Sequence, residues 1–233
     1  MSRTSNNDAP IFIVGLPRSG STLWTNILNR HSGIARFPEA HFLSPWHKDF
    51  HYFLQHTTGP LSSKESVNRL LDDIFCPDHL IRPKNTVWFW NKIRDLEKHG
   101  LRDSLYKRLS ASDNLDTGSI VRIIIEESTA CEGKERPLVK FPVYPTYIDQ
   151  LSSWWPDCRI VHISRDPRAL ATSKSNDPGG VSKLVSKYPW SRGLIPVAYR
   201  YFAVFQYIVA SRAHAKYRNM KNYRLYQYED LLN

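Results

Sequence analysis

The residues best suited to chemistry lie near the N-terminus, in the segment Gly15–Thr22. The apolar run Ile11–Val14 precedes this segment and predicts a strand that is buried on both faces. The residues from Ser21 onward predict a helix with one apolar face. A glycine-containing turn between a buried strand and a helix gathers backbone N–H groups at the positive end of the helix. The segment therefore predicts a loop that binds phosphate.

The loop lacks one residue that ATP- and GTP-binding loops require. Its spacing matches the GxxxxGK[ST] pattern, but Ser21 stands where that pattern has a lysine. Because that lysine reaches the outer phosphates of the nucleotide, its absence counts against a kinase or an ATPase. Arg18 could bring positive charge from within the loop instead. A P-loop nucleotide kinase stays open as an alternative, which binding of ATP with Mg²⁺ would identify.

The composition is basic and typical of a folded domain. The 233 residues include 32 Lys plus Arg and 22 Asp plus Glu, which gives a formal net charge of +10. This excess favours an anionic partner, such as nucleic acid, an anionic membrane, a phosphorylated co-substrate or an acidic substrate. The 41% of hydrophobic residues suffices for a sizeable core and excludes a mostly disordered chain. Three separated cysteines without a CxxC pair argue against a disulfide framework or a cysteine-based zinc site.

Strand-like and helix-like segments alternate over most of the chain. After the first strand and helix, further strands are predicted at 138–140, 159–163 and 223–228, and helices at 146–154, from 166 and at 196–220. Such alternation predicts an α/β protein with a central parallel sheet flanked by helices, a three-layer, P-loop-like fold.

The middle of the chain interrupts this alternation. A capping pattern at Ser62 predicts a helix that ends near Phe75, and a second helix is predicted over 119–131. We interpret residues 44–136 as a helical insertion within one domain that covers residues 1–233. Because the chain stops one turn into a predicted helix, we expect that a C-terminal part of the fold is missing.

The loop resembles the 5′-phosphosulfate loop of sulfotransferases that use 3′-phosphoadenosine 5′-phosphosulfate (PAPS), most of all that of the tyrosylprotein sulfotransferases. The usual family form is Pro-(Lys/Arg)-Ser-Gly-Thr-Thr, from which Ser21 is a conservative departure. The resemblance implies a co-substrate site formed by Pro17, Arg18, Ser19, Gly20, Ser21 and Thr22.

Two later segments resemble other parts of the nucleotide site in this family. Arg165 follows a predicted strand and Ser173 lies eight residues further on, like the arginine and serine that bind the 3′-phosphate. A guanidinium at a strand end and a hydroxyl two helical turns later can converge on one phosphate. Tyr228 begins a Tyr-Glu-Asp-Leu segment that is similar to a family element shaping the nucleotide site.

The resemblance also implies catalytic residues. Glu39 and His41 follow the first helix, where tyrosylprotein and heparan sulfotransferases place a catalytic carboxylate, so Glu39 is the expected base and His41 the fallback. Lys140 lies in a segment that resembles the family's Lys-(Ser/Thr)-Pro element, although Phe141 replaces the hydroxyl residue. Lys140 and Arg18 are expected to neutralise charge on the sulfuryl and bridging oxygens.

The implied reaction is transfer of a sulfuryl group from PAPS to a hydroxyl or amine acceptor by in-line displacement, which leaves 3′-phosphoadenosine 5′-phosphate (PAP). The scheme requires no metal. The resemblance covers about residues 11–43 and 138–233. Family members normally continue with a basic, glycine-containing segment that closes over the 3′-phosphate, and we expect this lid to be absent from the chain.

Other functions fit the sequence less well. His47 and His51 could share a helix face, but no HExxH pattern accompanies them, so a zinc site is disfavoured. Basic and aromatic residues interleave between Tyr188 and Tyr228, which could serve nucleic-acid binding, although the core face of a long helix explains the aromatics better. A non-catalytic remnant of the fold also stays open, and nucleic acid is not an expected partner.

The sequence favours a protein without a membrane span. The most apolar run, Tyr201–Ala210, is shorter than the roughly 20 residues that a span needs. The first ten residues lack the apolar stretch of a signal peptide. We therefore expect a cytoplasmic protein. The sequence specifies neither the acceptor nor the oligomeric state.

Overall fold

The structure is a computed structural model with a five-stranded sheet. It describes residues 9–37, 39, 42–43, 61, 63–76, 93–112, 115–142, 144–177 and 180–231. The strands are β1 (Ile11–Gly15), β2 (Ile34–Arg36), β3 (Arg136–Pro142), β4 (Arg159–Ser164) and β5 (Tyr223–Gln227). They lie in the order β2-β3-β1-β4-β5, and each neighbouring pair is parallel. The predicted parallel α/β sheet is confirmed.

The strand order places a crevice at the end of β1. The chain leaves β1 for the edge strand β2, returns through β3 on one side of β1, and continues through β4 on the other side. Ligands of open α/β sheets bind where the order reverses in this way, outside the carboxyl ends of the strands. Gly15 pairs with Pro142 of β3 and with Ile163 of β4, so three strand ends meet there.

Helices flank this sheet. Their bounds are α1 (Ser21–Leu28), α2 (Lys64–Phe75), α3 (Leu101–Ser110), α4 (Thr117–Cys131), α5 (Ile148–Trp154), α6 (Pro167–Ser175), α7 (Val181–Lys187) and α8 (Leu194–Tyr217). Short 3₁₀ turns lie at Glu97–His99, Tyr144–Tyr147, Pro189–Ser191 and Glu229–Leu231.

Several helix boundaries have a clear local cause. At the start of α2, the Ser63 side chain accepts a hydrogen bond from the Ser66 amide, and the Ser66 hydroxyl accepts one from the Ser63 amide. The Asp116 side chain caps α4. At the start of α6, Asp166 accepts the Arg168 amide and Pro167 occupies the first turn, which suits a residue without an amide hydrogen.

The main core lies between the sheet and the helices of the middle region. Phe12 and Val14 of β1 pack there with buried side chains of α2, α3 and α4, including Leu70, Leu105 and Ile124. A smaller cluster around Ile13 and Leu138 is contacted by Trp24 of α1. Burial on both faces explains why β1 is apolar along its whole length.

The structure adds elements that the sequence did not predict. β2 has only three residues, too few for a periodic signal, and α3 is polar except for a stripe of buried leucines. α7 was not predicted either. The described part of residues 44–136 contains α2, α3 and α4.

One helix bears on the prediction that the chain has no membrane span. α8 has 24 residues, a mean hydropathy of 1.2 over its best window and only 17% of that window buried, so by length and composition it could cross a membrane. The sequence prediction rested on the ten-residue run Tyr201–Ala210, whereas the helix in the structure is longer and includes further apolar residues on both sides of that run. This is weak support for a span, because core helices pass the same test.

Candidate functional site

The loop after β1 has the backbone conformation of a tight anion-binding turn. Gly20, with φ of 91°, and Arg18, with φ of 76°, both adopt the left-handed region. This region is costly for a residue with a side chain, so Arg18 is held in an uncommon conformation. At Gly15, an added Cβ would lie 2.6 Å from the Ile163 carbonyl oxygen of β4. The loop therefore depends on glycine for its close approach to the neighbouring strand.

α1 begins directly after the loop, so its first amide groups lie next to the end of β1. The Ser19 amide is used inside the loop, where it donates to the Leu16 carbonyl at 3.1 Å. The first amides of a helix have no partner within the helix. Ser21 and Thr22 therefore offer N–H groups at the positive end of the helix, which suits a phosphate.

Lys140 of β3 joins two parts of the site. Its Nζ donates to Glu39 Oε2 at 2.7 Å and to Thr22 Oγ1 at 2.9 Å. The Lys140 side chain is 10% exposed, and that of Glu39 is 30% exposed. A carboxylate, an ammonium and the last residue of the loop thus meet near the ends of β3 and β1.

A second cluster lies on the other side of the loop. Arg18 Nε donates to Ser173 Oγ of α6 at 3.1 Å. Arg165, just after β4, donates from its guanidinium to the Arg18 carbonyl at 3.0 Å. The structure therefore brings Arg18 to Ser173 and Arg165, not to Lys140 and Glu39. The expected role of Arg18 at the sulfuryl group stays a prediction.

Tyr228 closes the site from the β5 side. Its amide donates to the Ser164 carbonyl at 2.8 Å, and its ring lies directly against Gly20, where any added Cβ would overlap ring carbons. The Arg165 guanidinium lies over the same ring, 4.6 Å from its centroid. Tyr228 therefore supports both the loop and Arg165. Nearby, Glu229 accepts the Asp166 amide at 3.1 Å, a contact that the sequence did not predict.

A cavity of about 250 Å³ extends from the loop between β4, β5 and α8. Its lining includes Ser19 and Arg165 beside the loop, together with His162, His214 and Gln227. Ser19 Oγ and Arg165 Nε are buried and have no hydrogen-bond partner among the described residues. Buried polar atoms are normally paired, so these two mark a place where a polar ligand group or water fits.

A buried network forms the floor of this cavity. The Tyr223 hydroxyl contacts His162 Nδ1 at 2.6 Å and His214 Nδ1 at 3.0 Å. A single hydroxyl donates only one proton, so one imidazole must accept it and the other must donate. Burial and the nearby His214 lower the pKa of His162 to about 4, so His162 is the neutral partner. The sequence analysis missed this network because its residues lie on β4, β5 and α8 without a common motif.

Two predicted features fall outside these observations. His41, the fallback base, lies outside the described residues. Pro17 lies in the loop between Leu16 and Arg18 and is partly exposed, and its expected role at the co-substrate stays a prediction. Over the ranges that the structure describes, no group of three or more His, Cys, Asp or Glu is arranged to hold a metal ion.

A glycine-containing loop between a buried strand and a helix, at the switch point of a parallel sheet, is typical of nucleotide- or phosphate-binding α/β proteins. A sequence profile of the Sulfotransferase family matches residues 10–233. The chain therefore belongs to the sulfotransferase family, and the resemblance found in the sequence is confirmed. A search of curated proteins gives no match.

A solved structure of a sulfotransferase domain shares the fold, and two further sulfotransferase structures are similar to this chain. The sulfotransferase domain from the curacin biosynthetic pathway is 19% identical, with a TM-score of 0.52 over 96% of this chain and 68% of its own. STF9 from Mycobacterium avium is 17% identical, with a TM-score of 0.45 over 98% and 62%. STF1 from Mycobacterium tuberculosis H37Rv is 18% identical, with a TM-score of 0.41 over 96% and 63%. The chain spans about two thirds of the length of these structures.

Proposed function

We propose that this protein transfers a sulfuryl group from PAPS to a hydroxyl or amine acceptor. The observation that carries the proposal is the meeting of Glu39, Lys140 and Thr22 beside the loop after β1. Membership of the sulfotransferase family supports the reaction class. The residues themselves support an anionic, doubly phosphorylated donor, because two separate basic clusters flank one loop.

The binding of PAPS is assigned to the loop and the cluster around Arg165. The amides of Ser21 and Thr22 suit the 5′-phosphate, since they lie at the start of α1. Arg165 and Ser173 suit the 3′-phosphate, since a guanidinium and a hydroxyl already lie on either side of Arg18. The unpaired Arg165 Nε is consistent with a missing anionic partner at this position.

Transfer consists of one bond formed and one broken at sulfur. The acceptor oxygen or nitrogen forms a bond to sulfur, the bond from sulfur to the bridging phosphate oxygen breaks, and PAP leaves with the electron pair. Glu39 takes the acceptor proton. Lys140 lies between Glu39 and Thr22, where its charge stabilises the negative charge that develops on the leaving oxygen. No proton needs to be supplied to the phosphate.

We propose that Arg18 acts on the 3′-phosphate side, in place of the role at the sulfuryl group that the resemblance implied. Its Nε contacts Ser173, and its carbonyl accepts a hydrogen bond from Arg165. The loop and the 3′-phosphate cluster are thereby linked through one residue. We propose that this link holds the loop in its binding conformation once the 3′-phosphate is present.

The acceptor is assigned to the side of the site that faces the helical region 44–136. Glu39 follows β2 at that side, and its neighbour Phe37 packs against the core that α2, α3 and α4 form. We also propose that residues 1–233 form one domain and that the region 44–136 lies on the acceptor side of the site.

The test uses PAPS labelled with ³⁵S and a panel of alcohols, phenols and amines. Transfer of label to an acceptor, with PAP as the second product, is the expected result. Slow release of labelled sulfate without an acceptor would also support the assignment of the donor. Transfer of phosphate from ATP in the presence of Mg²⁺, with no label moved from PAPS, would replace the proposal by a kinase.

A further inference from the structure

The outer face of α8 is unusually apolar for a surface. Six large side chains lie along it and around its start: Trp190, Leu194, Val197, Tyr201, Phe205 and Ile208. Trp190 is 78% exposed, Tyr201 74% and Phe205 57%. Isolated exposed apolar residues are ordinary, but a contiguous stripe marks an interaction surface. We call these six residues the α8 stripe.

The opposite side of α8 is fixed to the rest of the domain. Ala203, Gln206 and Ala210 are buried there, and Ala210 packs with Leu16 and Leu170. The Lys174 ammonium of α6 donates to the Gln206 side chain at this buried side. Because one face of α8 is packed on protein, the helix lies along the domain surface, and the α8 stripe is part of its exposed side.

The charge around the stripe is of one sign. From residue 178 to residue 228 the sequence has nine Lys plus Arg and no Asp or Glu. Arg192 and Arg200 flank the first half of the stripe, Arg212 follows its last residue by one turn, and all three are exposed. Lys216, further along, is paired with Asp149. A partner of the stripe therefore has to be apolar at its centre and negatively charged around it.

We propose that the α8 stripe docks the protein onto the surface of an anionic lipid bilayer. Aromatic and aliphatic side chains on one helix face, flanked by Arg and Lys, are what interfacial helices use to bind acyl chains and acidic headgroups together. A second copy of the chain fits less well, because pairing two α8 helices would bring Arg200 and Arg212 of each copy together without an acidic residue from this region to neutralise them.

The docking surface lies next to the nucleotide side of the candidate site. α8 packs on α6, which carries Ser173, and the Lys174 ammonium lies 5.3 Å from the centroid of the Phe202 ring on α8. Docking is nevertheless independent of the proposed transfer reaction, because it involves none of the residues assigned to PAPS. The two proposals can therefore fail separately.

The experiment measures sedimentation of the protein with large vesicles of phosphatidylcholine, with and without 30 mol% phosphatidylserine. The expected result is binding to the serine-containing vesicles at least about tenfold stronger than to phosphatidylcholine alone. The double variant F205S/I208S should lose at least about tenfold in partitioning. Ile27→Ser is the matched control, because Ile27 of α1 is 49% exposed and Ile208 is 45% exposed.

Charge variants test the second half of the proposal. Arg200→Gln and Arg212→Gln should each weaken binding about fivefold near 0.1 M salt, and binding should fall strongly at 1 M salt. Circular dichroism of each variant checks that it is folded. If vesicle-bound protein resists extraction by salt and alkaline carbonate, docking on the bilayer surface is overturned and α8 crosses the bilayer instead.

Two further results would overturn the proposal. Equal vesicle binding by F205S/I208S and by Ile27→Ser would remove the α8 stripe as the contact. A dimer in sedimentation velocity that F205S/I208S dissociates, together with no vesicle binding, would assign the stripe to a second copy instead.

Discussion

The Lys140 ammonium lies 2.7 Å from the Glu39 carboxylate, although the two residues are 101 positions apart in the chain. They meet because β3 and the segment after β2 end at the same edge of a parallel sheet. The same ammonium contacts Thr22 at the end of the phosphate loop. An expected base and an expected electrophilic residue are thus held together before any substrate binds, which lowers the cost of arranging them for transfer.

Glu39→Gln should lower the rate of transfer about 10²- to 10⁴-fold, because an amide cannot take the acceptor proton. The affinity for PAP should stay unchanged, since Glu39 contacts only Lys140 among the residues assigned to the site. Single-turnover assays and calorimetry measure the two quantities. Glu97→Gln, at an exposed 3₁₀ turn, is the control. Near-normal turnover in Glu39→Gln would exclude Glu39 as the base.

Lys140→Met removes the charge while keeping a side chain of similar length. We expect kcat to fall about 10²- to 10³-fold, because a positioned charge stabilises the leaving oxygen. The KM for PAPS should change much less. Lys64→Met, at the exposed start of α2, serves as the control and should behave like the unaltered protein. A variant with raised KM and unchanged kcat would show that Lys140 only binds the nucleotide.

Arg165→Ala should weaken PAP binding about 10- to 150-fold, as expected for loss of a charge-assisted hydrogen bond of about 1.5–3 kcal/mol. The matched control is Arg168→Ala. Arg168 lies three residues away, its side chain is 90% exposed, and it pairs with Asp166. Calorimetric titration with PAP compares the two variants. Equal affinities would remove Arg165 from the 3′-phosphate site.

Gly20→Ala should destabilise the protein and abolish PAP binding, because the new Cβ would overlap the Tyr228 ring. Gly100→Ala is an informative control, since Gly100 has a similar φ of 81° but open space around its Cα. Both variants carry the cost of a positive φ, about 1 kcal/mol, but only Gly20→Ala carries the overlap. The free energy of unfolding in urea, measured for both variants, separates the cost of the overlap from the cost of the positive φ. Equal losses of stability would show that Tyr228 moves away without cost.

Stability should fall with acid between about pH 6.5 and pH 4 because of His162. Its pKa in the folded protein is about 4, below its usual value, so the unfolded chain binds the proton more tightly across this window. The contribution is fully present above pH 6.5 and is lost as the pH falls toward 4. It amounts to at most about 3 kcal/mol, at 1.36 kcal/mol for each unit of pKa.

The measurement is the free energy of unfolding in urea at several pH values, for the unaltered protein and for His162→Gln. The variant should show a smaller slope between pH 6.5 and 4. His31→Gln is the control, because His31 is exposed at a turn after α1. If the free energy of unfolding has the same pH slope in the unaltered protein and in His162→Gln, a group other than His162 causes the loss of stability in acid.

Much of the site could be read from the sequence because its parts are local. The loop follows a uniformly apolar strand, and Asp166-Pro167 is typical of a helix start, here that of α6. Each motif therefore indicates which strand or helix carries it and at which end of that element it lies. The pairing of Lys140 with Glu39 could be expected only from the resemblance to the family. No periodicity signals the three-residue strand β2, whose pairing with β3 brings the two residues together.

The remaining features depend on tertiary packing. The His162–Tyr223–His214 network joins β4, β5 and α8. Its hydrogen bonds form because these elements pack together, and no sequence motif indicates that packing. The contact from Arg18 to Ser173 also depends on how α6 lies against the loop. The apolar character of α8 was visible, but it was attributed to a core face, and the structure exposes half of it instead.

The central claim is that the loop and Arg165 bind a 3′-phosphorylated adenosine nucleotide for sulfuryl transfer. Calorimetric titration with PAP, compared with AMP and with ATP–Mg²⁺, tests it most directly. We predict micromolar affinity for PAP, at least tenfold weaker affinity for AMP, and loss of the difference in Arg165→Ala. Preference for ATP–Mg²⁺, or no binding of PAP by the folded protein, would contradict the claim.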